Sequence, residues 1–527
     1  MIKSLTSLHI NHFSQSLYSA QQTRDIDKLA IEQLYQGNGY ALMKKAGYAL
    51  FQFASSLYPE KCHWLIFCGR GNNGGDGYVA ATLAKAHDID VTVVQIGETE
   101  TLSETLQGEA LHAFKDLNKH KNTRIISFES FKSSSITTDD GSYLIIDSML
   151  GTGLAGEVRG EYQKAIAWIN QSNHPTIAVD IPSGLSADTG RPLGTAVQAD
   201  HTITFIGINK GLVTGQAKNY TGTLSYDELG IGSDIKSQVD SLMCLLSSES
   251  IKLNLFKRRA ADHKGNSGRA LFIGGSDGTS GAALLACEAS LKSGIGLLSA
   301  LVGNNAVTPM LSRSPEVMVR GFEKDIEKQL PDLLEPANAV AIGPGLSTAG
   351  HAKRLLTDVL KTGKPTIIDA DGLNLIAMHP EIWQQHGHGK CILTPHPAEA
   401  ARLLECSVEE IESDRYLSIT KLVDQFQCTV LLKGSGTLIS NNSNNIYICY
   451  LGNEAMASGG MGDVLSGLIL SFLAKSQDCI ESTKYAAFIH AMAGESASQQ
   501  GIIGCLPTDV ISASKLIINE TLEKIAT

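Results

Sequence analysis

Asn453-Glu454-Ala455-Met456-Ala457-Ser458-Gly459-Gly460-Met461-Gly462-Asp463-Val464-Leu465 is the stretch on which the fold turns. Three glycines crowd in before Asp463. Val464, Leu465, Leu468, Ile469, Phe472 and Leu473 then recur at the spacing of one apolar helix face. Glycines ahead of a helix let backbone N–H groups converge where the helix end already carries partial positive charge. Such a cradle stabilises a phosphate or a developing anion. Asp463, in the first turn, is placed to take a proton from a hydroxyl beside that phosphate. Taken alone, an aspartate in a first helical turn is what the dipole favours anyway. A second phosphate-sized turn, Lys433-Gly434-Ser435-Gly436-Thr437, closes the upstream strand Val430–Leu432 and tips the balance toward a site.

Moving outward, Arg269–Ile273, Ala339–Ile342, Thr366–Ile368 and Cys391–Leu393 read as short buried strands. They run into Gly274-Gly275-Ser276, Gly343-Pro344-Gly345, Asp369-Ala370-Asp371 and Thr394-Pro395-His396-Pro397. In a parallel sheet these turns converge on one crevice. The helix 281–293 carries Ala282, Ala283 and Ala286, small enough for close approach by a ligand or by another element. There is no Walker A lysine-serine pattern, which excludes a P-loop protein.

The N-terminal half alternates in the same way. Helical patterns start near Ser19, with Ile26, Leu29, Ala30 and Leu34 on one face, and again at Tyr40–Leu57. The strand Trp64–Cys68 leads into a loop, Asn72-Asn73-Gly74-Gly75-Asp76-Gly77, and a small-residue helix over Tyr78–Ala86. Further strands are expected at Val91–Ile96, Arg124–Phe128, Tyr143–Asp147, Thr176–Asp180, Thr202–Phe205 and Thr223–Tyr226. Asn73, Asp147 and Ser183 stand at three strand ends and offer oxygen ligands to one hard cation. Three separate turns capped by their own side chains fit the same residues equally well.

With 527 residues, two domains are the expectation, and 43% hydrophobic with 18% charged residues describes a globular chain. A net charge of -11 argues against general nucleic-acid binding. The ten cysteines form no C-x-x-C pair and no cluster at metal spacing, as in a cytosolic protein. Residues 1–19 read as a tail without an apolar signal core, and no run reaches membrane-spanning length. The expectation is a cytoplasmic homo-oligomer with domains at 20–235 and 256–527. Between them, residues 236–255 form a linker with one short packed helix. The basic run Lys257-Arg258-Arg259 reads as a solvated patch.

Asn72–Gly77, Asp147 with Gly151–Gly153, and Asp180–Gly184 together resemble the YjeF N-terminal domain, the NAD(P)H-hydrate epimerase family, over roughly residues 20–232. The resemblance implies a Rossmann-like α/β/α sandwich. In it Asn72, Asn73, Gly74, Gly75 and Asp76 hold a hydrated nicotinamide nucleotide, NADHX or NADPHX, together with Gly151, Thr152, Gly153, Leu154, Ala155, Gly156 and Glu157. It also implies potassium (K+) bound by Asn73, Asp147 and Ser183, and Asp180 as a substrate-contacting acid–base group.

From residue 259 onward six motifs in order resemble the ribokinase-like YjeF C-terminal domain, an ADP- or ATP-dependent NAD(P)H-hydrate dehydratase. Met461 departs from the family, where threonine is common. This resemblance implies that Lys433, Gly434, Ser435, Gly436, Thr437, Asn453, Gly459, Gly460 and Gly462 bind the adenine nucleotide with Mg2+. It implies too that Ala282, Gly345, His396 and Asp463 contact the hydrate. The expected whole is a bifunctional repair enzyme, isomerase and lyase, that epimerises the damaged cofactor and dehydrates one epimer.

Two alternatives use the same residues. A ribokinase-like vitamin or sugar-alcohol kinase would stop after phosphoryl transfer and leave a stable phosphorylated alcohol. A non-catalytic N-terminal interaction module would not need Asn73, Asp147, Asp180 and Ser183, all of which are present.

Overall fold

The computed structural model describes residues 3–4, 16–59, 63–97, 99, 102–120, 123–133, 143–322 and 326–523. The chain divides between Ser241 and Leu242 into two compact units. Among the described residues no helix is long and apolar enough to cross a membrane.

In the first unit, eight described strands form a sheet in the order Lys3–Ser4, Thr223–Asp227, His201–Phe205, Thr176–Val179, Tyr143–Ser148, His63–Cys68, Val91–Gln95, Arg124–Ser127. Neighbours run parallel except for Lys3–Ser4, which pairs antiparallel with Ser225 and Tyr226. Both faces are covered. Trp64, Ile66 and Cys68 pack under one layer of helices, and Leu65 and Phe67 under another. This is the expected α/β/α sandwich. Strand order reverses between His63–Cys68 and Tyr143–Ser148, and a crevice at their carboxyl ends follows from that reversal.

Ala20–Tyr35 begins with a capping box, in which Ser19 Oγ accepts from Gln22 N and Gln22 Oε1 accepts from Ser19 N. Thr23, Ile26 and Ala30 form its buried stripe, whereas Leu34, in the last turn, is 47% exposed. The segment expected as a tail contributes more than that. Ser16–Tyr18 is a strand paired in parallel with Ile208–Asn209.

The loop expected over Asn72–Gly77 is instead the start of a helix, Asn72–Ala86. Three glycines lower helix propensity, but here close packing outweighs that cost. A Cβ on Gly74 would lie 2.2 Å from the Gly69 carbonyl oxygen, and one on Gly77 2.7 Å from Ser148 Oγ. Only glycine lets this helix start lie so near the two central strand ends.

In the second unit the sheet runs Met318–Gly321, Leu297–Val302, Arg269–Ile273, Ala339–Ile342, Thr366–Ile368, Cys391–Leu393, Thr429–Leu432, Thr437–Ser440, Ile446–Cys449, Met243–Leu245. It is parallel up to Thr429–Leu432, and the Thr437–Ser440 strand is antiparallel to both its neighbours. Within the stretch read as a linker, Met243–Leu245 pairs with Ile446–Ile448, and the 3-10 turn Leu253–Phe256 buries Leu253 and Phe256.

Met461–Ser476 is buried almost all round, wider than the single apolar face expected, because it packs on the sheet, on Ser280–Lys292 and on Cys479–Ala497. A Cβ on Gly467 would meet the Ala286 carbonyl oxygen at 2.1 Å, so Ala286 serves helix-to-helix contact. Ala283 is likewise buried, and of the three small residues only Ala282 is partly open.

Candidate active sites

The first unit holds a cleft of about 620 Å³ at the carboxyl ends of its central strands. Asn72, Asn73 and Asp76 line it from the glycine-rich helix start, and Gly151, Thr152, Gly153, Leu154 and Ala155 from the loop after Tyr143–Ser148. Leu42, Met43 and Ala46 of the Gly39–Leu57 helix add an apolar wall. Gly74 and Gly75 are buried behind the lining residues, Gly74 packed close to Gly69 and Gly75 against Met43. Gly156 and Glu157 are exposed beyond the lining residues.

Asp180 reaches this cleft through a strained backbone. Its φ is 66°, and Ile181 N donates across it to Val179 O at 2.8 Å, a three-residue turn. The adjacent strand ends in the same way, with Ile206 at φ 63° and Gly207 N donating to Phe205 O at 2.6 Å. Left-handed backbone at a β-branched residue is rare; here both strained residues line the cleft. Thr204 Oγ1 donates to Asp180 Oδ1 at 3.1 Å. Burial nevertheless pushes the Asp180 carboxyl up to about 6. Burial, then the charges of Asp180 and Asp27, hold Asp76 well above the usual carboxylate range.

The candidate cation ligands gather behind Gly151. Asp147, fully buried, accepts from Ser183 N at 2.8 Å, Ser183 Oγ at 2.6 Å and Met149 N at 3.3 Å. Asn73 is 8% exposed, and neither its Oδ1 nor its Nδ2 has a hydrogen-bond partner among the described residues. A Cβ on Gly151 would lie 3.3 Å from Asn73 Cβ. Burying an unpaired amide is unfavourable by roughly 1–3 kcal/mol, so an oxygen-seeking cation beside Asn73 and Asp147 fits this chemistry.

In the second unit Lys433 is the hub. Its Nζ lies 2.5 Å from Asp369 Oδ1, and Asp369 Oδ2 accepts from Ser466 Oγ at 2.7 Å. A Cβ on Gly462 would lie 3.3 Å from the ammonium, which places Gly462 beside it. Arg415, 1% exposed, donates to Leu432 O and Lys433 O at 3.3 and 3.1 Å and pins the Lys433–Thr437 turn from below. Gly434 at φ 141° leaves room for that guanidinium. Gly460, at φ 96°, caps the helix, while Gly459 faces open space.

Asp463 follows in the first turn and accepts no hydrogen bond among the described residues. Burial and the neighbouring Asp369 push its carboxyl up to about 6, against the opposing pull of Lys433. Gly345 accepts from Thr279 Oγ1 at 2.8 Å, and Ala282 N donates to Thr279 O at 3.2 Å, joining those two predicted contacts. His396 caps Pro397–Leu403, its Nδ1 accepting from Ala398 N and Glu399 N at 3.1 and 3.3 Å. Burial, Lys433 and Arg402 depress its pKa, which keeps the ring neutral. Asn453 donates to Ser498 Oγ at 2.8 Å and holds the turn leading to the glycines.

Residues the sequence did not single out also appear. Asp27 lines the first cleft from the helix stripe next to Ile26, where a carboxylate is out of place, and that anomaly was its signal. Asp369 was quoted only as part of a motif, and Ser466 lies inside an apolar run. Arg70 and Tyr162 line the first cleft without any sequence signal.

A profile described as NAD(P)H-hydrate dehydratase matches residues 270–516, and one described as YjeF-related protein N-terminus matches residues 39–211. The bifunctional NAD(P)H-hydrate repair enzyme of Escherichia coli is 40% identical over 484 residues, 91% of this chain and 90% of its own. That of Coxiella burnetii is 38% identical over 95% of this chain and 99% of its own. A crystal structure of the ADP/ATP-dependent NAD(P)H-hydrate dehydratase of Bacillus subtilis, co-crystallised with ATP/Mg2+, is 28% identical over 53% of this chain and 98% of that one, at a TM-score of 0.46. On identity sustained across both units, the chain belongs to the bifunctional NAD(P)H-hydrate repair enzyme family.

Proposed function

We propose that the first unit interconverts the R and S epimers of NADHX and NADPHX, and that the second dehydrates the S epimer at the expense of ADP or ATP. The observation that carries this reading is Asp463, a half-buried carboxyl with an unclaimed lone pair, beside the Lys433–Asp369 pair and the glycine-lined helix start.

In the second unit Asp463 takes the proton of the substrate hydroxyl, and that oxygen attacks the terminal phosphoryl group. Backbone N–H groups of Gly459–Gly462 and the Lys433 ammonium stabilise the charge that develops. AMP or ADP leaves. The ring nitrogen's lone pair then expels phosphate, a far better leaving group than hydroxide, and loss of a proton from the neighbouring carbon restores the C=C bond. Mg2+, arriving with the nucleotide, supplies charge neutralisation for its phosphates.

In the first unit the cleft positions the nicotinamide ring against Asp180, which acts as an acid–base group at the hydroxyl-bearing carbon. Asn73, Asp147 and Ser183 would hold potassium, which supplies a fixed positive charge beneath the Gly151–Ala155 loop. A soft-metal site is not needed for this chemistry.

The test uses the full chain with mixed hydrate epimers, Mg2+ and each adenine nucleotide. Return of NADH absorbance with stoichiometric phosphate supports the reading; a stable phosphorylated alcohol would contradict it.

A further inference from the structure

Asp27 takes no part in the roles given above, yet it lines the same cleft as Asp180, from a different element. It stands on the Ala20–Tyr35 helix next to Ile26, in the helix whose Thr23 and Arg24 also face the cleft. Its Oδ1 is buried and has no hydrogen-bond partner among the described residues. A carboxyl oxygen left unpaired in a protein interior is destabilising, and groups held at such a cost recur where chemistry needs them.

Asp180, by contrast, is held fast. Its backbone is fixed by the left-handed turn, and its Oδ1 is held by Thr204 Oγ1. When epimerisation proceeds by C–O cleavage, the hydroxyl leaves from one face of the ring and an oxygen returns from the other. One immobile carboxyl serves one face only. The other ionisable groups lining the cleft are Arg24, Arg70, Asp76, Glu109 and Tyr162. The arginines do not exchange protons near neutrality, and burial holds the Tyr162 hydroxyl above its usual range. Asp76 belongs to the glycine-rich helix start beside Asn73, and burial, then the charges of Asp180 and Asp27, hold its carboxyl well above the usual range. Glu109 lies against Gly39, where a Cβ would come within reach of its Oε1.

We propose that Asp27 is the second acid–base group of the epimerisation, serving the ring face that Asp180 does not reach. This rests on the epimerase reading of the first unit. In one direction, one carboxyl gives its proton to the departing hydroxyl, which leaves as water while the ring nitrogen's lone pair forms the C=N bond. A water molecule then adds to the opposite face of that carbon and gives its proton to the other carboxylate. The nitrogen regains its lone pair, and the enzyme's proton has moved from one aspartate to the other. The reverse direction starts from the opposite protonation state. Each conversion therefore replaces the substrate's hydroxyl oxygen with one from solvent.

The experiment compares wild type, Asp27→Asn and Asp27→Glu in water enriched in oxygen-18. Epimer conversion is followed without adenine nucleotide and corrected for the uncatalysed rate. For Asp27→Asn, kcat should fall by about 100-fold or more, with KM little changed and dehydration of the S epimer in the second unit intact. Asp27→Glu should recover part of the loss, and wild type should place one solvent oxygen in each converted molecule. Wild-type kcat in Asp27→Asn, or a loss confined to KM, overturns the proposal while leaving the epimerase reading standing. Retention of the original oxygen by an active wild type also overturns it. A wild type that does not epimerise at all refutes the underlying reading and this proposal together.

Discussion

Lys433 Nζ lies 2.5 Å from Asp369 Oδ1, and Ser466 Oγ holds the other oxygen of that carboxylate at 2.7 Å. Asp369 is 2% exposed, so the pair is formed inside the unit, where charges are weakly screened. The pair fixes the ammonium at the strand ends, beside Gly462 and within electrostatic reach of Asp463. Lys433→Met should lower dehydration about 10²–10³-fold. It should also destabilise the unit by on the order of 3 kcal/mol, because Asp369 is left buried without its counter-charge. Lys433→Arg, which keeps the charge but not the shape, should restore stability better than rate. Kinetics and thermal unfolding of the two variants check this.

Asp463 sets a pH limb. With its carboxyl pushed up to about 6, the protonated form persists further toward neutrality than for an ordinary aspartate. A base must be ionised to accept a proton, so dehydration should fall as pH drops through about 6 and level off above it. Lys433 opposes the upward shift, so in Lys433→Met the limb should move to higher pH. Phosphate release measured across a pH series gives both profiles.

Asp27 bears on stability as well as chemistry. Burial first, then Asp180, push its carboxyl up to about 7, with Arg24 opposing. The folded state therefore holds a proton that the unfolded chain releases at lower pH. The contribution of this site is intact below the ordinary aspartate range and declines as pH rises toward 7. Asp27→Asn should accordingly be more stable than wild type at pH 8, by about 1–3 kcal/mol, with the gap closing in acid. Denaturant unfolding at two pH values measures it.

Two neighbouring glycines separate structural from functional constraint. Gly460 is left-handed, and a Cβ there would lie 2.6 Å from Leu285 Cδ1, whereas a Cβ on Gly459 meets nothing within 4 Å. Gly460→Ala should destabilise by about 1–2 kcal/mol. Gly459→Ala should leave stability unchanged and instead raise KM for the adenine nucleotide, since the methyl group projects into open space ahead of the helix. Thermal unfolding and nucleotide titrations distinguish the two.

Much of this architecture was legible because parallel strands buried on both faces write themselves as short apolar runs. Arg269–Ile273, Ala339–Ile342 and Cys391–Leu393 end where the pattern places them. The glycine-rich turns after them were legible too, since turn chemistry is local. Asn72–Gly77 was misread because its glycines serve close contact with two strand ends, that of His63–Cys68 just upstream and that of Tyr143–Ser148 far downstream, and propensity carries no trace of that contact. Ser466 was hidden for a similar reason. Its partner Asp369 lies 97 residues upstream, and nothing in the apolar run around it announces the hydrogen bond. The strained turn at Ile206 was equally invisible, as a β-branched residue disfavours a left-handed backbone.

The most direct test replaces one oxygen of Asp463. With the S epimer, Mg2+ and ADP or ATP under single-turnover conditions, phosphate release and the return of NADH absorbance are followed in wild type and in Asp463→Asn. The expected result is loss of both signals in the variant, with epimer interconversion by the first unit preserved. Full dehydration by Asp463→Asn would contradict the role assigned to this carboxyl.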